Sequence, residues 1–146
     1  MAPRQHSIVT NVIDVTNVSG TAAPGSQLVV VGPCASGKST LVAALARVGI
    51  SARSVAQEHS AVPTLFQRRP RAGVVYLAAT WPAVHRRRPL STGRAQYQRE
   101  LHILAAARAA ADLVVHTDSR TPAEVAAVVQ AWWIRHISAR SSAPPA

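Results

Sequence analysis

Apolar residues along this chain recur in two rhythms. A continuous run from Gly73 to Ala79 predicts a strand covered on both faces, Leu28 to Val31 is a second apolar strand, and Leu113 to Thr117 reads as the last core strand. Helical spacing appears at Leu41, Ala44, Leu45 and Val48, and again at Val125, Val128, Val129, Trp132 and Trp133. Between these, Ala52 to Glu58 alternates in part and reads as a second strand. Thr64 to Arg69, between two prolines, reads as a brief helical piece, and Trp81 to His85 as a turn or short helix leading to Arg86-Arg87-Arg88. The longest helix is expected from Ser91 to Ala111, with Tyr97, Leu101, Leu104, Ala105 and Arg108 on its inner edge. Gly49 suits a left-handed cap for the first helix. Thr121-Pro122-Ala123-Glu124 supplies an N-cap hydroxyl, a first-turn proline and a capping-box glutamate for the last one.

Strands alternating with helices predict an α/β protein, a short and mostly parallel sheet in a three-layer α/β/α arrangement. Residues 27–137 form the domain on this reading. Residues 1–26 are a loosely ordered segment with a possible edge strand between Ile8 and Val18, and 138–146 a flexible tail. Ligands of such sheets bind beyond the carboxyl ends of the strands, here Gly32, Glu58, Ala79 and Thr117-Asp118.

The first strand runs directly into Gly32-Pro33-Cys34-Ala35-Ser36-Gly37-Lys38-Ser39, which fits G-x-x-x-x-G-K-[ST] at every fixed position. Gly32 and Gly37 can take backbone angles closed to other residues, so the loop can aim successive N–H groups at one anion. The helix beginning near Thr40 adds its own unpaired N–H groups and partial positive charge. Lys38 is the reading's contact to β- and γ-phosphates, and the Ser39 hydroxyl its Mg²⁺ ligand. Lys38 is also the only lysine among sixteen basic residues, so a slim point charge is kept where arginine serves everywhere else.

Composition narrows the picture. The chain of 146 residues, 48% apolar, suits one domain. The net charge of +10 points to a polyanionic small molecule or to nucleic acid as partner. Only six carboxylates exist, so any metal-binding or basic role draws on a short set. No stretch approaches the ~18 apolar residues of a membrane span, and no signal-peptide core is evident. The single cysteine, Cys34, cannot form an internal disulfide, which leads us to expect a cytoplasmic protein. His6, His85, His102, His116 and His136 show no metal-ligand spacing, and no zinc site is expected.

With these residues in view, the chain resembles the small P-loop kinases that include nucleoside monophosphate, shikimate, gluconate and adenylylsulfate kinases. The resemblance runs over residues 27–137: the Walker A loop, the strand GVVYLAAT, an arginine-rich stretch, the strand LVVHTD and the TPAEV helix start. It implies binding of ATP and Mg²⁺ and transfer of the γ-phosphoryl group to a small acceptor. It implies a lid over the arginine stretch, with Arg88 and Arg94 favoured to stabilise the transferring group, and a base site at Arg120 and Pro122. This chain departs from the family where Ala78 stands in place of an aspartate, in having no Walker B strand ending in aspartate, and in its short acceptor region. Glu58 is then the candidate to hold Mg²⁺ through water or to accept the acceptor's proton. Two other readings stand beside the kinase: a nucleotide-binding switch or degenerate kinase, and a basic ATP-dependent nucleic-acid-binding module. No N-K-x-D pattern for guanine occurs, which leans towards ATP.

Overall fold

The computed structural model describes residues 27–68, 71–89 and 93–142. The segment 1–26, with its expected edge strand, lies outside them, as do 69–70, 90–92 and 143–146. Four strands, β1 (Gln27–Val31), β2 (Ala52–Ser54), β3 (Arg71–Ala78) and β4 (Leu113–His116), make one sheet in the order β2-β1-β3-β4. All its pairings are parallel. Five helices accompany them among the described residues: α1 (Lys38–Arg47), α2 (Trp81–Arg87), α3 (Arg94–Ile103), α4 (Ala105–Ala110) and α5 (Pro122–Ser142).

Strand periodicity divides the core in two. Leu28, Val30, Val75, Leu77 and Val115 pack against Leu41 and Leu45 of α1 and Val125, Val129 and Trp133 of α5. Val29, Val31, Val74, Tyr76 and Ala78 face Phe66, Leu104 and Ala107 instead. Both faces of the sheet are therefore covered, as the uninterrupted apolar runs required, and the packing is compatible with three layers. Ala72 joins the first cluster out of phase with Val75 and Leu77, next to the register shift between Gln27 and Leu28.

Several boundaries differ from those expected. Strand β2 stops at Ser54, its last ladder contact being Val55 N–H to the Val30 carbonyl at 3.0 Å. Glu58 consequently sits in a short 3-10 turn, Gln57–His59, and not at a strand end. The brief piece before β3 is also a 3-10 turn, Leu65–Gln67. The expected longest helix is split into α3 and α4 at Leu104, a fully buried residue. The inner edge is Tyr97, Glu100, Leu104 and Ala107, whereas Ala105 and Arg108 are exposed. The longest helix is α5, of 21 residues, which carries 138–142 of the expected tail through to Ser142. His136 Nε2 lies 3.2 Å from the Ala72 carbonyl and Arg140 Nη1 donates to the same oxygen at 2.8 Å, so the start of β3 anchors this helix. The start of α5 follows the expected capping box, with Thr121 Oγ1 accepting from the Glu124 N–H at 3.2 Å. Gly49 adopts φ 78°, the left-handed cap foreseen for α1.

Candidate functional site

A parallel sheet brings all its carboxyl ends to one side, and a cleft of about 660 Å³ opens there. Its floor is the glycine loop between β1 and α1. Gly32 lies against β3 so closely that a Cβ would meet the Leu77 carbonyl oxygen at 2.6 Å and Ser36 Oγ at 2.7 Å. Gly37, at φ 99°, occupies a conformation that L side chains avoid. Ala35 takes φ 62°, a strained value for a residue with a Cβ. Its carbonyl accepts a hydrogen bond from Arg87 Nη1 at 2.9 Å. Arg87 also donates to Thr117 Oγ1 at 3.1 Å and to the Thr117 carbonyl at 3.0 Å, tying α2 and the loop to the end of β4.

The first hydrogen bond of α1 runs from Leu41 N–H to the Gly37 carbonyl at 3.0 Å. The N–H groups of Lys38, Ser39 and Thr40 are thus left at the helix start for a ligand or solvent, with the positive end of the helix dipole. Lys38 folds back over the loop. Its Nζ donates to the Gly32 carbonyl at 2.8 Å and the Pro33 carbonyl at 3.1 Å, and pairs with Glu58 Oε1 at 2.9 Å.

Glu58 owes its place to its neighbour. Gln57 is fully buried; its Nε2 donates to the Val62 carbonyl at 2.7 Å and its Oε1 accepts from the Phe66 N–H at 3.0 Å. These bonds fold 57–59 into the turn that points Glu58 inward at 5% exposure and leaves His59 outside. Glu58 Oε2 is buried without a hydrogen-bond partner. His59 Nε2 lies 3.1 Å from Cys34 Sγ and 3.7 Å from Glu58 Oε1. Burial raises the Cys34 thiol to about 11, with Glu100 and Glu58 adding to the effect and Lys38 opposing it.

Of the residues expected in the site, Cys34 to Thr40 line the cleft together with Glu58, Arg88, Arg120 and Pro122. Gly32 and Pro33 are buried behind it and contribute carbonyls to Lys38. Arg120 is held by a 2.8 Å bond to the His116 carbonyl. Arg94 is the exception: it opens α3 as an exposed residue away from the cleft wall, because the helix begins beyond the arginine stretch. Thr117, at one of the expected strand ends, lines the cleft, as do His59 and Arg87, the arginine not favoured from the sequence. Arg87 was hidden in a run of three arginines, and only the turn of α2 separates its direction from those of its neighbours.

A second acid was also missed. Glu100 on α3 is 2% exposed, and neither of its oxygens has a hydrogen-bond partner. Arg108, exposed on α4, lies over the Tyr76 ring at 5.3 Å. At the far edge of the sheet end, Asp118 accepts from Thr80 N–H at 3.0 Å and Thr80 Oγ1 at 2.5 Å, joining the ends of β3 and β4. Burial works to raise the Asp118 carboxyl, but those two bonds and the charges of Arg87 and Arg86 hold it below its usual range.

No family model matches the chain, and no curated protein is significantly similar to it. No helix among the described residues is long and apolar enough to cross a membrane.

Proposed function

We infer that this chain is a P-loop protein that binds ATP with Mg²⁺ and transfers the γ-phosphoryl group to a small acceptor. The observation that carries this reading is the lone lysine folded onto the carbonyls of its own loop, beside three free helix-start N–H groups. A polyphosphate lodged over Gly37 to Thr40 would meet those N–H groups and the helix dipole, and draw the Lys38 ammonium outward. Leaving the loop, Lys38 gives up Glu58, whose carboxylate is then available to accept the proton of an acceptor hydroxyl. Ser39 and the unpartnered Oε2 of Glu58 are the oxygens of this chain suited to Mg²⁺, a hard cation that would offset charge on the phosphates. Arg87 and Arg88 stand on the cleft wall where equatorial phosphoryl oxygens would gain charge, and they take the role first given to Arg94. Arg120 and Pro122 flank the side on which the base would rest.

A second reading, a nucleotide-binding switch without efficient transfer, is favoured by Ala78 on β3, where no carboxylate reaches the site. Lys38→Ala separates binding from its absence: calorimetric titration with ATP and Mg²⁺ is expected to show affinity reduced about 10- to 100-fold. Unchanged affinity refutes nucleotide binding at this loop. Glu58→Gln then separates the readings, since a kinase loses phosphoryl transfer to a metabolite panel while still binding ATP. Transfer that survives the substitution removes Glu58 from the chemistry, and binding without any turnover in the parent chain supports the switch.

A further inference from the structure

We propose that Cys34, Glu58 and His59 form a three-ligand site for a thiophilic divalent cation of the Zn²⁺ class, with its remaining coordination position open to the cleft. One ligand atom from each residue lies within 4.8 Å of the other two, and Cys34 Sγ is 3.1 Å from His59 Nε2. Tetrahedral zinc with bonds of roughly 2.0–2.3 Å sets its ligand atoms roughly 3.3–3.8 Å apart, so small side-chain adjustments close the site. The sequence hid it because the ligands come from two segments. Their supports are independent: Gln57 braces the turn carrying Glu58 and His59, while Arg87 holds the loop beside Cys34.

Two further observations call for a cation. Glu58 is 5% exposed, and its Oε2 has no donor, a deficit that a metal ion would satisfy. Glu100, 2% exposed, is a further buried carboxyl beside the site, close enough to Cys34 to act on its thiol. The donor set decides the ion: sulfur and imidazole favour Zn²⁺ over Mg²⁺ or Ca²⁺, which prefer oxygen. Three protein ligands with a vacant position follow the pattern of zinc sites that bind water or substrate. On binding, the Cys34 S–H bond breaks as the sulfur–metal bond forms, and the proton passes to buffer; His59 binds through its neutral ring. Lys38 remains anchored by its two loop carbonyls when the ion takes over Glu58.

This site goes beyond the nucleotide reading and draws on the same Glu58 carboxylate, so the zinc-bound chain and the ATP- and Mg²⁺-bound chain are alternative states. The test is a CoCl₂ titration of the tag-free, nucleotide-free full chain, followed by ZnCl₂ displacement. The expected result is a thiolate-to-cobalt charge-transfer band saturating at one equivalent and lost on adding zinc. Cys34→Ser is expected to abolish the band, and His59→Ala, at an exposed position, to weaken Co²⁺ binding by at least about 100-fold. Thermal unfolding of both variants checks that they remain folded. Absence of the band in the parent chain overturns the proposal, and so does a band of unchanged affinity in His59→Ala, which marks a thiol binding cobalt by itself. The ATP titration of Lys38→Ala is read without cobalt, so either result stands alone.

Discussion

The two faces of the sheet are made from alternate residues of the same strands, yet they are built differently. Under α1 and α5 the packing is aliphatic, closed by Leu41, Leu45, Val125, Val129 and Trp133. The opposite side rests on Val29, Val31, Val74 and Tyr76, but its covering elements also bury Gln57 and Glu100, and Glu58 lies at its rim. Removing apolar area from water stabilises the first side directly. Buried polar groups on the second cost free energy unless they are paired, and there the pairing is incomplete. Ser36 and Glu58, two of the residues with an unsatisfied oxygen, line the cleft, while Glu100 lies buried on α3 away from its wall.

That contrast can be broken most forcefully at Leu45. Leu45→Ala on the dry face is expected to lower stability by about 2–5 kcal/mol in chemical denaturation. A loss comparable to an exposed alanine substitution would show that this face is not the one holding the fold. Glu100 carries the opposite sign. Glu100→Met removes the buried carboxyl and its unmet hydrogen bonds at nearly constant shape, so stability is expected to rise by about 1–3 kcal/mol. A lower denaturation midpoint in this variant would mean that the carboxylate is compensated in the fold. The smallest effect concerns Asp118. Its folded carboxyl titrates below the unfolded value of 3.8, so its contribution is complete above that value and disappears as pH falls through the folded one. Asp118→Asn is expected to flatten this part of the acid-side slope; midpoints measured against pH with the same slope in both chains would remove Asp118 from the acid response.

The sequence was most legible where one residue type has one physical reason to be present. Gly32 and Gly37 marked the loop, and the structure gives each its own reason: a Cβ at Gly32 would collide with β3, while Gly37 holds φ 99° in open space. Thr121 and Glu124 marked a helix start through a reciprocal cap that needs nothing beyond four residues. Legibility failed where a distant contact overrode local pattern. Ala52 to Glu58 alternates like a strand, but Gln57 reaches Val62 and Phe66 and turns the chain after Ser54. Glu100 drew no attention in the sequence because its charge suits a surface, whereas helix phase places it with Tyr97 and Leu104. Arg94 belonged to an arginine-rich stretch by composition alone, and the start of α3 carries it away from the cleft.

By itself the amino-acid order determined the alternation of strands and helices, the covered faces of β1 and β3, and the loop whose glycines and lone lysine invite an anion. Those properties depend on neighbours a few residues apart, through backbone freedom and side-chain period. Only the tertiary structure decided that Lys38 rests on Glu58, that Arg87 and not Arg94 reaches the cleft, and that Cys34 meets His59. Such pairings join segments separated by 20 residues or more in the chain. Packing of the sheet and its helices sets their distances, and no local rule of spacing encodes them.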